Sequence, residues 1–277
     1  LTAACNLMGA NKTGGYLVTG AWAKKAAKEA SFMGNSITIA SSEDKNFNYI
    51  PKDYILKNNI DYFHVTSNNT IFGTQIKNFY TGKIPLACDM SSDIFSRKIN
   101  IEDFDLIYAG AQKNMGPAGT TLYICKKEIF GKSSVPIPTM LDLKIHSDKD
   151  SMFNTPPVFP IYASMLNLRW LKRVGGLSYI EEQNEKKSEL IYDQIDNSSL
   201  FLGTANKEDR SSMNVTFTLT NEGLNETFNK MLVEANINGL KGHRSVGGFR
   251  ASMYNAMPFE SVSILVDIMK ELENKKG

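Results

Sequence analysis

The stretch 104-FDLIYAGAQKNMGPAGTTLYIC-125 predicts two strands joined by a tight loop, with a lysine at the mouth of the first strand. One apolar run ends at Gly110, and a second begins at Thr120. A Gly/Pro-rich connection between two short apolar runs is typical of a loop between strands. Lys113 lies in that connection. A solvated loop lysine is the ordinary interpretation, so a functional role needs support from the rest of the chain.

The segments before this stretch alternate between strand-like and helix-like patterns. The strand-like segments are GGYLVTG (14–20), SITIAS (36–41) and KIPLACD (83–89). AWAKKAAKEASFMG predicts a helix that ends near Gly34. PKDYILKNN predicts a second helix, entered through Pro51. Strands separated by helices favour an α/β fold whose sheet is mostly parallel and flanked by helices.

The pattern changes after about residue 150. PIYASMLNLRWLKRVGGLSYIEEQNEKKSELIYDQI (160–195) predicts long helix with a break at Gly175 and Gly176. Strand, helix, strand and a closing helix follow. We therefore expect a large sheet-centred domain over residues 1–172 and a smaller C-terminal α+β domain over residues 173–277.

Composition excludes several classes of function. The 277 residues are 42% hydrophobic and 22% charged, which is ordinary for a globular protein. The net charge is +2, from 31 basic and 29 acidic residues, so the chain has no electrostatic footprint for a nucleic acid or an anionic membrane surface. No apolar run approaches the roughly 20 residues that span a bilayer.

The cysteines and histidines point to a reducing compartment and away from zinc. The three cysteines are odd in number and widely spaced, mostly in apolar surroundings; they are Cys5, Cys88 and Cys125. Such thiols are typical of reduced core residues, which favours a cytoplasmic location. The three histidines are scattered, so we expect no metal site.

Two ionisable residues lie at predicted strand ends: Asp89 after KIPLAC, and Lys113 after FDLIYAGAQ. Ligands of open parallel sheets bind beyond the carboxyl ends of the strands, so neighbouring strands would bring these side chains into one crevice. Enzymes that use pyridoxal phosphate need a lysine amine to bind the cofactor and a carboxylate against its pyridine nitrogen. The lysine also transfers protons. The spacing alone is a weak signal, because a surface ion pair is the simpler interpretation.

Three other segments suit the same chemistry, although each has a simpler structural interpretation. Trp22 begins a helix just after a strand, where its ring is placed to stack on a flat ligand or to pack on the core. SNNT (67–70) offers short donor side chains at the end of a strand. Asn154 and Thr155 precede two prolines, which predicts either an extended polar segment or a helix N-cap.

A cluster of cations near the C-terminus suits an anionic ligand with more than one acidic group. KGHRSVGGFR gathers Lys241, His243, Arg244 and Arg250 around a glycine pair. Arginine binds carboxylate and phosphate in bidentate fashion, whereas lysine does not. A solvated charged face is less favoured here, because aromatic and apolar residues alternate with the cations.

Four segments closely resemble the phosphoserine aminotransferase family of fold-type I pyridoxal phosphate enzymes. These segments are YAGAQKNMGPAGTTLYI (108–124), FNTPPVFPIY (153–162), MNVTFTL (213–219) and LKGHRSVGGFRASMYNAMP (240–258). The resemblance covers essentially the whole chain in order. It implies the fold-type I architecture, pyridoxal 5'-phosphate as the cofactor and a homodimer with shared active sites.

The resemblance also implies site roles. Lys113 would bind the cofactor covalently, and Asp89 would pair with the pyridine nitrogen. Trp22 would stack on the ring, Thr70 would reach the 3′-oxygen side, and Gln112 would contact the phosphate. Residues from the other subunit would join this phosphate site, namely Asn154 and Thr155. The implied substrate residues are Arg250 for the α-carboxylate, with His243 and Arg244 for the substrate phosphate.

The implied reaction transfers the amino group of glutamate to 3-phosphohydroxypyruvate and gives phosphoserine and 2-oxoglutarate, a step of serine biosynthesis. Both half-reactions would use one site in turn. The family also carries a Gly-rich turn just before the segment that matches LTAACNLM. Because LTAACNLM reads as the middle of a helix without an N-cap, we expect further residues upstream of Leu1.

Two other functions remain open at this point. One is a different fold-type I enzyme, such as a serine–glyoxylate aminotransferase or a cysteine desulfurase. The His243–Arg244 pair argues against both, because neither substrate carries a phosphate. The other is a cofactor-free remnant that serves only as a binding module, which the presence of Lys113, Asp89 and Arg250 disfavours.

Overall fold

The computed structural model describes residues 1–244 and 246–276. The helices are α1 (Thr2–Leu7), α2 (Ala21–Ala30), α3 (Leu143–Asp148), α4 (Val158–Arg173), α5 (Gly176–Asp196), α6 (Asn225–Glu234) and α7 (Phe259–Lys276). The strands are β1 (Thr13–Val18), β2 (Asn35–Ser41), β3 (Tyr62–Thr66), β4 (Asn68–Asn69), β5 (Thr74–Gln75), β6 (Leu86–Asp89), β7 (Leu106–Gly110), β8 (Thr121–Cys125), β9 (Phe201–Gly203), β10 (Asn214–Leu219) and β11 (Phe249–Ser252).

The larger sheet runs in the order β2-β1-β3-β6-β7-β8. Each neighbouring pair is parallel except β7 with β8, which is antiparallel. The predicted α/β fold with a mostly parallel sheet is therefore confirmed. Because β2, β1, β3, β6 and β7 are parallel to one another, their carboxyl ends lie along one edge of the sheet.

Both faces of this sheet are covered, which explains why its strands read as nearly continuous apolar runs. Side chains alternate between the faces along each strand. Tyr16 and Tyr62 belong to the core that includes α1 and α2. Leu17 and Phe63, one residue further along the same strands, belong to the core on the opposite face.

A third core surrounds the antiparallel sheet β11-β10-β9. It includes buried side chains from α5, α6 and α7, and Phe217, Phe228 and Phe249 contact one another near its centre. The predicted break before α5 is confirmed, since α4 ends at Arg173. Gly175 (φ 125°) and Gly176 (φ 71°) then turn the chain in a backbone region that favours glycine.

The predicted helix over residues 51–59 is wrong, because this segment forms no regular helix. Tyr54 and Leu56 pack against the core, while Ile55 between them is 86% exposed. This alternation belongs to an extended chain. A nine-residue helix needs an apolar face packed on the core, and the sequence does not supply one at helical spacing.

Among the described helices, none has the length and apolarity required to cross a membrane.

Candidate active site

Two neighbouring parallel strands bring the predicted lysine and aspartate to one edge of the sheet. In the β6–β7 pairing, Asp89 lies opposite Tyr108. Lys113 lies in the turn that follows β7, three residues after Gly110. The expectation that both strands are parallel neighbours is therefore confirmed.

The Lys113 amine is in a partly dehydrated, charged environment. Burial lowers the pKa of Lys113, the negative charge of Asp89 raises it, and Arg250 lowers it further. Asp93 adds a smaller effect that raises the pKa. The carboxylate of β6 and the guanidinium of β11 thus lie within electrostatic reach of the same amine.

The turn after β6 fixes the Asp89 carboxylate. Asp89 Oδ1 accepts a hydrogen bond from the Ser91 amide at 2.9 Å. The Ser91 hydroxyl in turn accepts from the amide of Gly110, at the end of β7, at 3.2 Å. The Asp89 carbonyl also accepts from the amide and the hydroxyl of Ser67, each at 3.0 Å. These bonds connect the ends of β3, β6 and β7 beside Lys113.

Tyr108 and His64 lie on the two strands that flank β6, which ends at Asp89. The sequence analysis did not identify either residue as part of the site. His64 Nε2 is 2.9 Å from the Tyr108 hydroxyl. Burial lowers the pKa of His64 to about 3, so its ring is neutral. Burial and the nearby Asp89 raise the pKa of Tyr108, which keeps its hydroxyl protonated. The alternation of side chains along β3 and β7 indicates which face of the sheet each residue occupies. Only the strand order shows that His64 and Tyr108 meet.

Arg250 reaches from the second sheet to the loop after β4. Its Nη1 donates to the carbonyl of Thr70 at 3.4 Å. Its Nε is buried and has no hydrogen-bond partner among residues 1–244 and 246–276. A partly buried guanidinium with an unused donor, next to a lysine amine, is suited to hold a carboxylate. Thr70 itself is buried.

Trp22 and Gln112 are more exposed. Trp22 is the second residue of α2, which begins three residues after β1 ends, so it lies at the same carboxyl edge as Asp89. Its side chain is 46% exposed, and Lys25 Nζ lies 4.7 Å from the ring centroid. Gln112 is exposed beside Lys113. Both side chains are accessible to a ligand at this edge.

Asn154 and Thr155 lie in a different place from the Lys113 crevice. Both are exposed in the non-helical segment before α4. Asn154 lines a surface groove formed with β8 and α3, where Tyr123 and His146 also lie. None of the other predicted site residues lines this groove.

His243 and Arg244 lie on the loop before β11, with Arg244 exposed. The His243 carbonyl accepts from the amides of Val246 and Gly247, each at 2.9 Å. The predicted glycine pair is used here, since Gly247 (φ 77°) and Gly248 (φ 60°) both adopt left-handed backbone. Position 245 lies outside the described residues.

The cysteines do not resemble catalytic thiols. All three are free, and Cys5 and Cys88 are buried. Burial raises the pKa of Cys88 well above its ordinary value and also raises those of Cys5 and Cys125. A thiol kept protonated by burial is a poor nucleophile, which disfavours the desulfurase alternative.

Comparison with known proteins identifies the family. A family model described as aminotransferase class-V matches residues 3–265. The phosphoserine aminotransferase of Flavobacterium psychrophilum is 60% identical over 270 residues, which are 98% of this chain and 76% of that protein.

Two solved structures agree with this match. The phosphoserine aminotransferase of Bacillus circulans subsp. alkalophilus superimposes with a TM-score of 0.94 at 42% identity, over 100% of this chain and 79% of that chain. The pyridoxal phosphate-bound enzyme of Trichomonas vaginalis gives a TM-score of 0.90 at 33% identity, over 97% and 78%. The chain therefore belongs to the class-V aminotransferase family.

Proposed function

We propose that this chain transfers an amino group between glutamate and 3-phosphohydroxypyruvate with pyridoxal 5'-phosphate as cofactor. The observation that carries the proposal is the half-buried Lys113 amine at the end of β7, beside Asp89 and Arg250. The relatives named above, at up to 60% identity, carry the name of this activity. Serine biosynthesis is the metabolic role that follows from it.

The residues at the carboxyl edge fit the cofactor. Lys113 offers an amine with a lowered pKa, so a larger fraction of it is neutral and nucleophilic than for an exposed lysine. Asp89 offers a carboxylate fixed by the Ser91 amide, which suits the protonated pyridine nitrogen. Trp22 offers an accessible ring at the same edge. When bound, pyridoxal phosphate supplies an electron-accepting ring conjugated to the carbon that takes up the amino group.

Lys113 would carry out the proton transfers of the reaction. Burial lowers the pKa of its amine and the negative charge of Asp89 partly offsets this effect, so the amine can both release and accept a proton. Asp89 would pair with the ring nitrogen and would not take part in the transfer. Thr70 and Gln112 would hold the oxygen and phosphate groups of the cofactor.

The substrate acids are assigned to the cations of the C-terminal part. Arg250, whose Nε has no partner among the described residues, would bind the α-carboxylate that both substrates share. His243 and Arg244 would bind the group that differs, which is a phosphate in one substrate and a side-chain carboxylate in the other. One basic loop then serves both half-reactions.

A homodimer with shared sites accounts for Asn154 and Thr155. They precede α4, whose Val158 (68% exposed), Phe159 (72%) and Tyr162 (55%) expose apolar surface. Contiguous exposed apolar surface is typical of a subunit interface. We infer that a second copy covers it and that the two polar residues then enter the second copy's cofactor site.

Subunit mixing tests this assignment. Dimers of Lys113→Ala alone, or of Asn154→Ala alone, have two defective sites each, whereas a mixed dimer has one intact site. Random mixing should therefore restore about a quarter of the wild-type activity. Phe159→Asp should shift the protein to monomers, and Phe32→Asp, at an isolated exposed phenylalanine (71%), serves as its control. Mixtures that stay inactive would contradict the shared site.

We further propose a domain boundary at residue 172, near the end of α4, and a cytoplasmic location. Separate hydrophobic cores on the two sheets support the boundary, and limited proteolysis near residue 175 would test it. The three free cysteines support a reducing compartment. Cell fractionation would test the location.

The decisive experiment locates the cofactor and measures turnover. The protein is mixed with pyridoxal phosphate, reduced with borohydride and digested, and the labelled peptide is identified by mass. Label on Lys113, together with formation of phosphoserine from glutamate and 3-phosphohydroxypyruvate, is the expected result. Lys144→Ala, at an exposed lysine paired with Asp148, should change neither outcome. Label spread over surface lysines without turnover would favour the remnant.

A further inference from the structure

Three successive backbone carbonyls in the turn after Asp89 each accept a hydrogen bond from a different asparagine side chain. These bonds join Ile94 O to Asn114 Nδ2 (3.1 Å), Phe95 O to Asn255 Nδ2 (2.9 Å) and Ser96 O to Asn184 Nδ2 (3.1 Å). The donors come from three parts of the chain: the Lys113 turn, helix α5 and the segment after β11. We call these three residues the asparagine clamp.

The members of the clamp also bond to one another. Asn184 Nδ2 donates to Asn255 Oδ1 at 2.9 Å, and the Asn255 amide donates to Asn114 Oδ1 at 3.0 Å. All three side chains are buried, with exposures of 4% for Asn114, 1% for Asn184 and 6% for Asn255. Buried polar groups in one network depend on each other, because the loss of one leaves its partners unsatisfied.

The clamp joins the segments that carry the site residues. Asn114 follows Lys113 directly, and Asn255 lies five residues after Arg250. The clamped carbonyls lie a few residues beyond Asp89 in the same turn region. Short stretches of backbone therefore connect Lys113, Asp89 and Arg250 to the asparagine clamp.

The turn itself is strained. Phe95 has φ 58°, a left-handed conformation that is unfavourable for a bulky residue. Such strain persists only where the surroundings impose it. The Asn255 bond to the Phe95 carbonyl and its two neighbours in the clamp supply that constraint.

A buried lysine secures the same segment from α5. Lys187 lies one helical turn after Asn184 and is 1% exposed. Its Nζ donates to the carbonyls of Tyr254 at 3.1 Å and Met257 at 3.2 Å, on either side of Asn255. The segment after β11 is thus fixed by a side chain network and by a charged donor.

We propose that the asparagine clamp is a positioning device that sets the distance between Lys113 and Arg250, and so aligns the cofactor amine with the bound substrate. The inference rests on the proposed function, because it assigns the clamp to that reaction. Misplacement by about 1 Å far from the chemistry can cost about 10²-fold in rate. Loss of a clamp side chain should therefore lower turnover with both substrates to the same extent, since both half-reactions use Lys113.

Asn255→Ala and Asn184→Ala test the proposal, with Asn6→Ala as a matched control. Asn6 is also buried (4%), and its side chain bonds to the backbone of Leu141 and Leu143 at the start of α3. Its loss should lower the stability to a similar extent without affecting the clamp. If Asn255→Ala does not fold, Asn184→Ala, which removes two hydrogen bonds of the clamp, carries the test.

The first measurement needs no cofactor. Hydrogen–deuterium exchange is followed in peptides that cover 111–116, where the amides of Met115 and Gly116 bond to the Ala111 carbonyl. Both clamp variants should exchange there at least about tenfold faster than wild type, whereas Asn6→Ala should exchange faster only near 141–143. The second measurement is kcat/KM for glutamate and for the phosphorylated keto acid, which should fall about tenfold together.

The proposal is overturned if the clamp variants match Asn6→Ala in either measurement. It is also overturned if only one substrate is affected, because that result belongs to substrate binding. Failure of the proposed function is visible separately, as absence of turnover in the wild-type protein itself. The effect of the clamp is the ratio of the exchange rate, or of kcat/KM, of each clamp variant to that of Asn6→Ala.

Discussion

The two halves of the candidate site are built in different ways. Lys113 and Asp89 lie at the ends of buried parallel strands, and Ser91 connects Asp89 to the end of β7 by two hydrogen bonds. His243 and Arg244 lie on a loop that turns through two glycines with left-handed backbone, and Arg244 is exposed. The first region has its geometry imposed by the sheet, and the second has its geometry imposed by a few local bonds.

This difference matches the demands of the proposed chemistry. The amine and carboxylate serve both half-reactions and need one fixed arrangement. The basic loop must accept a phosphate from one substrate and a carboxylate from the other, so an exposed loop suits it better than a buried strand end. Changes in the first region should affect both substrates equally, whereas changes in the second should discriminate between them.

The largest effect is expected for Lys113→Ala. Removal of the amine eliminates both the covalent attachment and the proton transfer, so turnover with both substrates should fall by roughly 10³-fold or more. The fold should persist, because Lys113 is partly exposed in a turn. Turnover and circular dichroism check this, and measurable activity near that of wild type would contradict the role of Lys113.

Arg244→Ala should separate the two substrates. Hydrogen bonds to charged groups contribute about 1.5–3 kcal/mol, so KM for the phosphorylated keto acid should rise by roughly 10- to 150-fold. The rise for glutamate should be smaller. Arg244→Lys keeps the charge but loses the bidentate geometry, so its KM for the phosphorylated keto acid should lie between those of wild type and Arg244→Ala. Equal changes for both substrates would show that Arg244 does not select the phosphate.

Gly248→Ala should disturb the basic loop by a smaller amount. An added Cβ would lie 2.5 Å from the Phe217 carbonyl in a backbone that already has φ 60°. Gly247→Ala is its control, since it shares a left-handed backbone (φ 77°) but no atom of residues 1–244 or 246–276 outside its chain neighbours lies within 4 Å of the added Cβ. We expect about tenfold weaker use of the phosphorylated substrate for Gly248→Ala and less for Gly247→Ala.

Lys187→Met should change stability against pH and leave substrate preference unchanged. Burial lowers the pKa of Lys187 to about 8 from 10.5. Between these values the unfolded chain binds more protons than the folded one, so this lysine makes the free energy of unfolding rise with pH. From about pH 7.5 to 9.5, the rise in wild type relative to the variant should be about 2 kcal/mol.

Urea unfolding of both proteins at the two pH values measures this difference. Other groups titrate in the same window, so only the comparison between wild type and Lys187→Met isolates the lysine. Parallel pH profiles would mean that the Lys187 amine is not held by the Tyr254 and Met257 carbonyls in solution.

The sequence predicted those features that depend on local pattern. Short apolar runs ending at Asp89 and before Lys113 were sufficient for the strands, and the glycine pair at 175–176 marked the helix break. The helix expected after Pro51 was wrong, since the burial of that segment alternates along an extended chain. Local propensity there was overridden by tertiary packing.

The contacts that join distant segments could not be predicted in this way. His64 meets Tyr108 only because β6 lies between β3 and β7 in the sheet, an order that no local pattern specifies. In the asparagine clamp, Asn184 bonds to Asn255, which is 71 residues away in the sequence, and Asn255 bonds to Asn114, which is 141 residues away. Each asparagine by itself is typical of a turn or a helix surface.

The lowered pKa of Lys113 has a consequence for chemical intervention. An uncharged amine attacks mild electrophiles, whereas the protonated amines of solvent-exposed lysines do not. Lys187 also has a lowered pKa, but its amine is enclosed by backbone carbonyls and is 1% exposed. In the cofactor-free protein, a small acylating reagent with an acidic group for Arg250 would therefore modify Lys113 ahead of surface lysines, so such a reagent would act as an irreversible inhibitor.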